Sequence, residues 1–584
     1  MSRAQDRQER QISTQANWVD RLPTGFLRAI VLLLFALPSL WFVGAGHDDT
    51  WIMLFAGETL GNGPWFLNHN GVPQEISTSV LGAGLAGFAS ALAPLGSTYA
   101  VWKVLAWLPA IAAGMVFFEV LAHQSGKASA LFWSLVLCCF PQWHYWGWGG
   151  LESGLLWLAL ILFSLSLARF TLRPTVASTT GMVALGVLLP LVRADALWAP
   201  LLVVIAGHVC RENGGTWRFL PGILACLATF AYHGLRHHFT GQWLPNPAYA
   251  KAPFSVDTLG FGLEYLWQFH SDSPLHAFAG VALPLCIIGS WQLVRGGSDR
   301  RGDFRSELFG WSSLLVLAVD FTTVVAGGDW MGYHRFAVRS LPLKLMVIAL
   351  WSDQLLTTHL ARKFSGLTRT GAIAAALVVA STGWTAEGIV RREGLYQFGS
   401  ALVGGHDFRS WDPSFFVEAN IPAVRDRAIL LPWIDNDLRR IVDASVQNGR
   451  HLVVASYQAG YFPRELRQRF SPNQVAFVDL AGLSDYRIGS LPGWKSPLGL
   501  ADGIPGWATT IATGKGALGK ALQGCRPDIV YVLFASRQER ELMASAAYRV
   551  AYDRSILIDG ARHGAVIFQS LSDGDGRCPI LGID

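Results

Sequence analysis

Read for hydrophobic and polar positions alone, the chain divides into two textures. Up to about residue 390, long apolar stretches alternate with short polar connections. Residues 27–46 carry a single charge, Arg28, and residues 128–143 carry none. Crossing the ~30 Å hydrocarbon core takes about 20 predominantly apolar residues, so these stretches predict membrane-spanning helices. The predicted spans are 27–46, 76–94, 99–122, 128–143, 150–169, 178–192, 196–210, 219–235, 274–294, 307–326, 337–354 and 370–388. Beyond about residue 391 charges become frequent. Short β-rich runs appear at 451–456, 474–480, 528–534 and 565–569, with helix-like stretches at 435–447 and 537–547 between them. That alternation predicts a small α/β domain. The expected organisation is a polar tail over 1–26, a transmembrane domain over 27–390 and a soluble α/β domain over 391–584.

Composition sharpens the picture. The chain is 51% hydrophobic and only 15% charged, with 24 Trp and 33 Phe; soluble proteins carry about 25% charged residues. The Arg-rich start is followed by no small-residue cleavage site, so 27–46 reads as a retained first helix with the N-terminus in the cytoplasm. Basic connections at 169–173, 211–218, 295–305 and 362–369 mark the cytoplasmic face. The opposite face then receives 47–75, 244–273, 327–335 and everything after 385. Twelve crossings from an inside start would end inside, contrary to the basic loops. One early segment, first of all 128–143, is therefore expected to be re-entrant or interfacial, leaving about eleven crossings. The net charge of +5 gives no basis for a nucleic-acid partner. The cysteines show no metal-ligand spacing; Cys525 and Cys578 share the soluble part and would pair if it lies outside the cytoplasm.

The residues that carry chemistry fall mainly in the outward connections. Residues 46–51 read GHDDTW and place Asp48 and Asp49 just beyond the first span. A carboxylate there suits a general base on a sugar hydroxyl or a cation ligand, and equally a solvated helix end. The same connection continues NHNGVPQEISTS, supplying His69 and Glu75 beside aromatic residues, a mixture suited to sugar recognition or to an interfacial belt. Glu152 opens an apolar helix, where the helix dipole favours a carboxylate. Arg193 and Asp195 interrupt an apolar region, as a functional pair or as a clasp between helices. The connection LPNPAYAK contributes Asn246, Tyr249 and Lys251, and GGDWMGYHR contributes Asp329, His334 and Arg335. Lys251, His334 and Arg335 are cations able to hold a phosphate at the interface, or to anchor there by snorkelling.

The order of these motifs resembles the polytopic glycosyltransferases of the GT-C fold, and within them the mycobacterial terminal arabinofuranosyltransferases and their bacterial relatives. Those carry a DDAF-type loop, an EGYS-like turn, GLET, a YYG…LPNTYYAK loop, a GGDFMPGRF loop and a GLND-like turn. The matching stretches are 47–52, 75–79, 150–154, 237–251, 327–336 and 482–485. The turn here is Glu75-Ile-Ser77, the paired Tyr position holds His237 and His238, and Asn246 is followed by Pro247. The resemblance implies sugar transfer from a polyprenyl-phosphate donor, with arabinofuranose as the candidate sugar, at the outer face of the cytoplasmic membrane. The acceptor would be a glycan, lipid or protein of the cell envelope. Asp48 would be the leading catalytic carboxylate, supported by Asp49 and Glu75, with Lys251 and Arg335 on the donor phosphate. No redox cofactor is required, and a divalent cation is compatible with the acidic pair. Rival expectations are a transporter of an envelope precursor and another enzyme of lipid-linked glycans.

Overall fold

The computed structural model describes the chain from 18 to 355 and from 431 to 571, with Cys578, apart from short segments inside those ranges. The expected span 370–388 and the expected domain boundary near 390 lie outside the described residues.

The helical part is built as the apolar pattern dictates. Its main helices are α1 (Thr24–Ser39), α2 (Asp48–Thr59), α3 (Val80–Leu92), α4 (Thr98–Ser125), α5 (Lys127–Cys138), α6 (Pro141–Trp148), α7 (Ser153–Leu172) and α8 (Val176–Val192). They continue with α9 (Trp198–Val209), α10 (Leu220–Thr240), α11 (Asn246–Lys251), α12 (Val256–Ser271), α13 (Pro274–Gly280), α14 (Ala282–Arg295), α15 (Phe304–Val325) and α16 (Leu341–Leu355). Every expected span up to residue 354 contains a helix. Among the described residues, Thr98–Ser125, Ser153–Leu172, Pro274–Arg295 and Phe304–Val325 are long and apolar enough to cross a membrane by themselves. The suspect 128–143 resolves into the 12-residue α5 and the separate α6. At 1.5 Å per residue α5 extends only about 18 Å. Shortness is not confined to it, because α3 and α9 are of similar length.

These helices carry apolar side chains outward as well as inward. Leu37, Leu201, Leu227, Phe230, Ile287, Trp291 and Phe321 are exposed on the outer faces of the described helices. Helices can remain apolar all round in lipid, since all their backbone groups bond within the helix. The inner faces pack on α4 and α7, where Trp143 stacks on Trp157 with ring centroids 4.1 Å apart. The protein is thus a polytopic helical membrane protein with a sheet-containing region after it.

The α/β region holds α17 (Arg439–Gln447), β1 (Leu452–Ser456), α18 (Tyr461–Arg469), β2 (Val475–Asp479), α19 (Tyr486–Gly489), α20 (Gly516–Leu522), β3 (Ile529–Val532), α21 (Arg537–Ser545), β4 (Tyr548–Asp553), the hairpin β5 (Ile556–Ile558) and β6 (Ala561–His563), and β7 (Val566–Ser570). The main sheet runs β2-β1-β3-β7-β4; β1 is parallel to β2 and β3, and β7 is antiparallel to β3 and β4. All four strand expectations are met, while β4, β5, β6, α18, α19 and α20 are additions that the pattern does not predict. The central strands are buried on both faces, which explains their continuous rather than alternating hydrophobicity. Period-2 geometry divides them: Leu452, Val454, Phe477 and Tyr531 join the same core as the membrane helices, whereas Val453, Ala455, Val478 and Val530 form a second core with α20. One sheet face therefore rests on the helical part. Cys525 and Cys578 form a disulfide beside the second core.

Candidate active site

Asp48 and Asp49 open α2, where the helix dipole favours negative charge. Successive helical residues are rotated by about 100°, so adjacent carboxylates leave the helix in different directions. Asp48 turns to the α/β region. Its Oδ2 accepts from the Gly460 amide and its Oδ1 from the Tyr461 amide, both at 2.9 Å, at the start of α18. Gly460 permits this approach, because a Cβ there would lie 2.2 Å from the Asp48 carbonyl oxygen. Burial pushes the Asp48 carboxyl up to about 7; the Tyr461 amide opposes that rise and the Asp49 charge adds to it.

Asp49 turns to a cavity of about 50 Å³ that it lines together with Ser77, Glu152, Arg193, Arg335 and Phe336. Arg335 donates from Nη1 to Asp49 at 3.0 Å and clasps Asp329 through Nε at 2.5 Å and Nη2 at 3.1 Å. Arg193 donates from Nη1 to Glu152 and forks onto Asp195 at 3.2 and 2.9 Å. Asp195 also receives Arg339 Nη1 at 2.7 Å. Burial alone would raise the Asp195 carboxyl, but the guanidinium groups of Arg193 and Arg339 together outweigh it and hold it below the ordinary carboxylate range. The three guanidinium carbons surround the Phe336 ring, at 5.2 Å for Arg193, 5.1 Å for Arg335 and 3.4 Å for Arg339. Planar, weakly hydrated guanidinium groups suit such stacking where ammonium groups do not. Arg339 Nη2 is buried without a hydrogen-bond partner, leaving one donor of this cluster unspent.

The remaining candidates divide between supporting and docking positions. Glu75 lies outside the cavity lining: Arg236 grips it bidentately at 2.8 and 2.7 Å, and Tyr232 donates to it at 2.8 Å. Its segment nevertheless frames the site, because the Glu75 carbonyl accepts from the Asn246 amide and the Thr78 carbonyl from the Ala194 amide. Asn246 adds a side-chain bond to Gln74 at 2.7 Å, and Tyr249 holds the Leu244 amide at 3.3 Å. Pro247 follows on the cavity wall. His69 is buried and donates from Nε2 to the Ala459 carbonyl at 2.6 Å; burial lowers it to about 3, so it is neutral. His334 points to Asp272 at 3.5 Å, with its backbone in the left-handed region at φ 50°. Lys251 ends α11, but its side chain lies outside the described residues.

The structure thus gathers Asp49, Glu152, Arg193, Asp195, Asp329 and Arg335 at one place and sends Asp48, His69 and Glu75 to others. Sequence reading missed Arg339; Phe336 and Leu483 fall in the matching stretches 327–336 and 482–485 but are not singled out there. Arg339 follows Arg335 by one helical turn at the head of an apolar span, the same signature that singled out Arg193. Leu483 reaches the cavity from the DLAGLSD turn, in which Asp479 accepts from the Ala481 amide and from the Ser484 amide and hydroxyl. Among the described residues, no three His, Cys, Asp or Glu side chains converge as a metal site.

No family model and no curated protein matches the chain. Among solved structures, ArnT from Cupriavidus metallidurans in the apo state aligns over 93% of this chain and 98% of that one, with 14% identity and a TM-score of 0.46. ArnT from the same organism bound to undecaprenyl phosphate aligns over 92% and 98%, with 15% identity and a TM-score of 0.44. Likeness at this level leaves the function to the residues themselves.

Proposed function

We propose that the chain is a membrane glycosyltransferase of the GT-C type. It moves a sugar from a polyprenyl-phosphate donor to a cell-envelope acceptor at the outer face of the cytoplasmic membrane. The observation that carries the reading is Asp49 and Arg335, 3.0 Å apart, on the wall of one cavity where the helices meet the α/β region. The order of the six sequence motifs supports it independently.

The chemistry follows from that pair. Asp49 accepts the proton of the acceptor hydroxyl as the hydroxyl oxygen bonds to the anomeric carbon. The bond from that carbon to the phosphate oxygen breaks, and the phosphate leaves with the electron pair. Arg335, backed by Arg193 and Arg339, stabilises the charge that develops there. Their carboxylate partners fix the guanidinium planes before substrate arrives, so little reorganisation is needed during reaction. Asp49 rather than Asp48 is the base in this reading, because both Asp48 oxygens are held by backbone amides. Arabinofuranose is the sugar to which the motif resemblance points. A divalent cation, if used, would have to be held by Asp49 together with substrate oxygens.

The test is sugar transfer in proteoliposomes, with polyprenyl-phosphate arabinofuranose as donor and a short arabinan as acceptor. Transfer by the natural chain that Asp49→Asn abolishes, with normal folding, is the expected result. Equal transfer by both would overturn the assignment of Asp49. Failure of the natural chain across a panel of lipid-linked sugars would overturn the reaction class.

A further inference from the structure

A second cavity, of about 630 Å³, lies at the other end of α8 from Arg193. Its wall on α8 runs from Thr179 to Ala184, so Arg193 lies nine residues beyond its nearest lining residue, roughly 14 Å along the helix. The volume falls within the ~300–1,000 Å³ typical of small-molecule sites. Its wall is almost wholly apolar, with Phe170 from α7, Val183 and Ala184 from α8, Cys210 after α9, and Pro221 and Leu224 from α10. Its mouth is different in character. Arg218 lines it, with Nε buried and without a hydrogen-bond partner, beside Trp217, which is 76% exposed.

Two long helices begin at this mouth. Thr179 in the first turns of α8 and Pro221 in the first turn of α10 both line the cavity, so the flanks of both helices form its wall near the mouth. Thr175 and Ser178 form a capping box that fixes the start of α8. The position of Arg218 is equally fixed, because its carbonyl packs on Gly207, where a Cβ would lie 2.5 Å away. Arg173, exposed at the end of α7, adds a further cation nearby in sequence to Pro174 of the lining. An apolar slot with an arginine and an exposed tryptophan at its mouth is complementary to one molecule class. That class has a hydrocarbon chain attached to an anionic headgroup. The basic connections 169–173 and 211–218 put the slot in the cytoplasmic leaflet, where basic pockets between helices hold anionic lipid headgroups.

We propose that this slot is a binding site for an anionic glycerophospholipid of the cytoplasmic leaflet. Its phosphate sits at Arg218, and one acyl chain fills the cavity between α8 and α10. The lipid braces α8, whose far end carries Arg193 of the outer-face site. This site is independent of the sugar-transfer reading.

The experiment is native mass spectrometry of the full chain in detergent, equilibrated with phosphatidylglycerol or with phosphatidylcholine at equal concentration. The natural chain is expected to retain phosphatidylglycerol at least about tenfold better, the factor that one charge-assisted hydrogen bond supplies. Arg218→Ala brings phosphatidylglycerol down to the phosphatidylcholine level, and Arg218→Lys restores part of the difference. Ala184→Phe, which fills the slot without changing charge, removes both lipids. Gel-filtration profiles check folding, and either variant decides if the other fails to fold. Equal retention of the two lipids by the natural chain would overturn the proposal. So would phosphatidylglycerol retention that survives Arg218→Ala.

Discussion

The stretch from Asp48 to Thr78 serves two regions of the molecule, and neighbouring residues within it belong to different ones. On the docking side, Asp48 caps α18, His69 bonds Ala459, and Asn70 exchanges two 2.8 Å bonds with the Phe477 backbone as if it were one more strand residue. Glu58 adds an ion pair with Arg464, which also lies over the Trp51 ring. On the cavity side, Asp49, Ser77 and Thr78 face Arg335 and Arg193. A dense run of polar residues is therefore not one site. Those on the docking side spend their hydrogen bonds on holding the α/β region, and those on the cavity side remain within reach of a substrate.

The largest effect that separates the two regions is expected in catalysis. Asp49→Asn should lower sugar transfer by about 10²- to 10⁴-fold, the usual contribution of a general base, while leaving hydrogen exchange of α18 unchanged. Asp48→Asn should do the reverse, keeping measurable transfer and accelerating exchange at Gly460 and Tyr461. Next comes Gly460→Ala. The added methyl meets the Asp48 backbone oxygen, and overpacking of this kind costs about 1–3 kcal/mol. It should appear as new protease cleavage around α18 and a lower Tm. Asn70→Ala should be milder, about 1–2 kcal/mol for two backbone bonds, and confined to faster exchange at the β2 edge.

The two regions differ further in the pH dependence of docking. Burial raises Asp48 from 3.8 to about 7, so the docked state binds its proton more tightly than the undocked state. Docking is then strongest below pH 4, weakens as pH rises from 4 to 7, and levels off above. Asp479, raised by burial to about 6, acts in the same direction on the α/β region itself. Exchange of the Tyr461 amide against pH should show this slope, and Asp48→Asn should remove its part between 6 and 7. A slope unchanged in that variant would assign it to another group.

Much of the architecture is legible in the order of the residues. Spans, strands and the change of texture near residue 390 follow from local composition, because the bilayer sets the length and polarity of what crosses it and the sheet imposes its own period. The Arg193–Asp195 pair and the GGDWMGYHR cations stand out as charges where apolar residues prevail. Their convergence does not, since Asp49, Glu152, Arg193 and Arg335 lie on separate elements and only helix packing brings them around Phe336.

What the sequence determined by itself is the class of molecule, many apolar helices followed by an α/β region, and a shortlist of charged residues in the connections between apolar stretches. Tertiary structure alone decided which of them work together. A side chain's chemistry is local, but whether its hydrogen bonds are already spent depends on residues hundreds of positions away. Asp48 meets Gly460 while Asp49, one residue on and about 100° around the helix, meets Arg335.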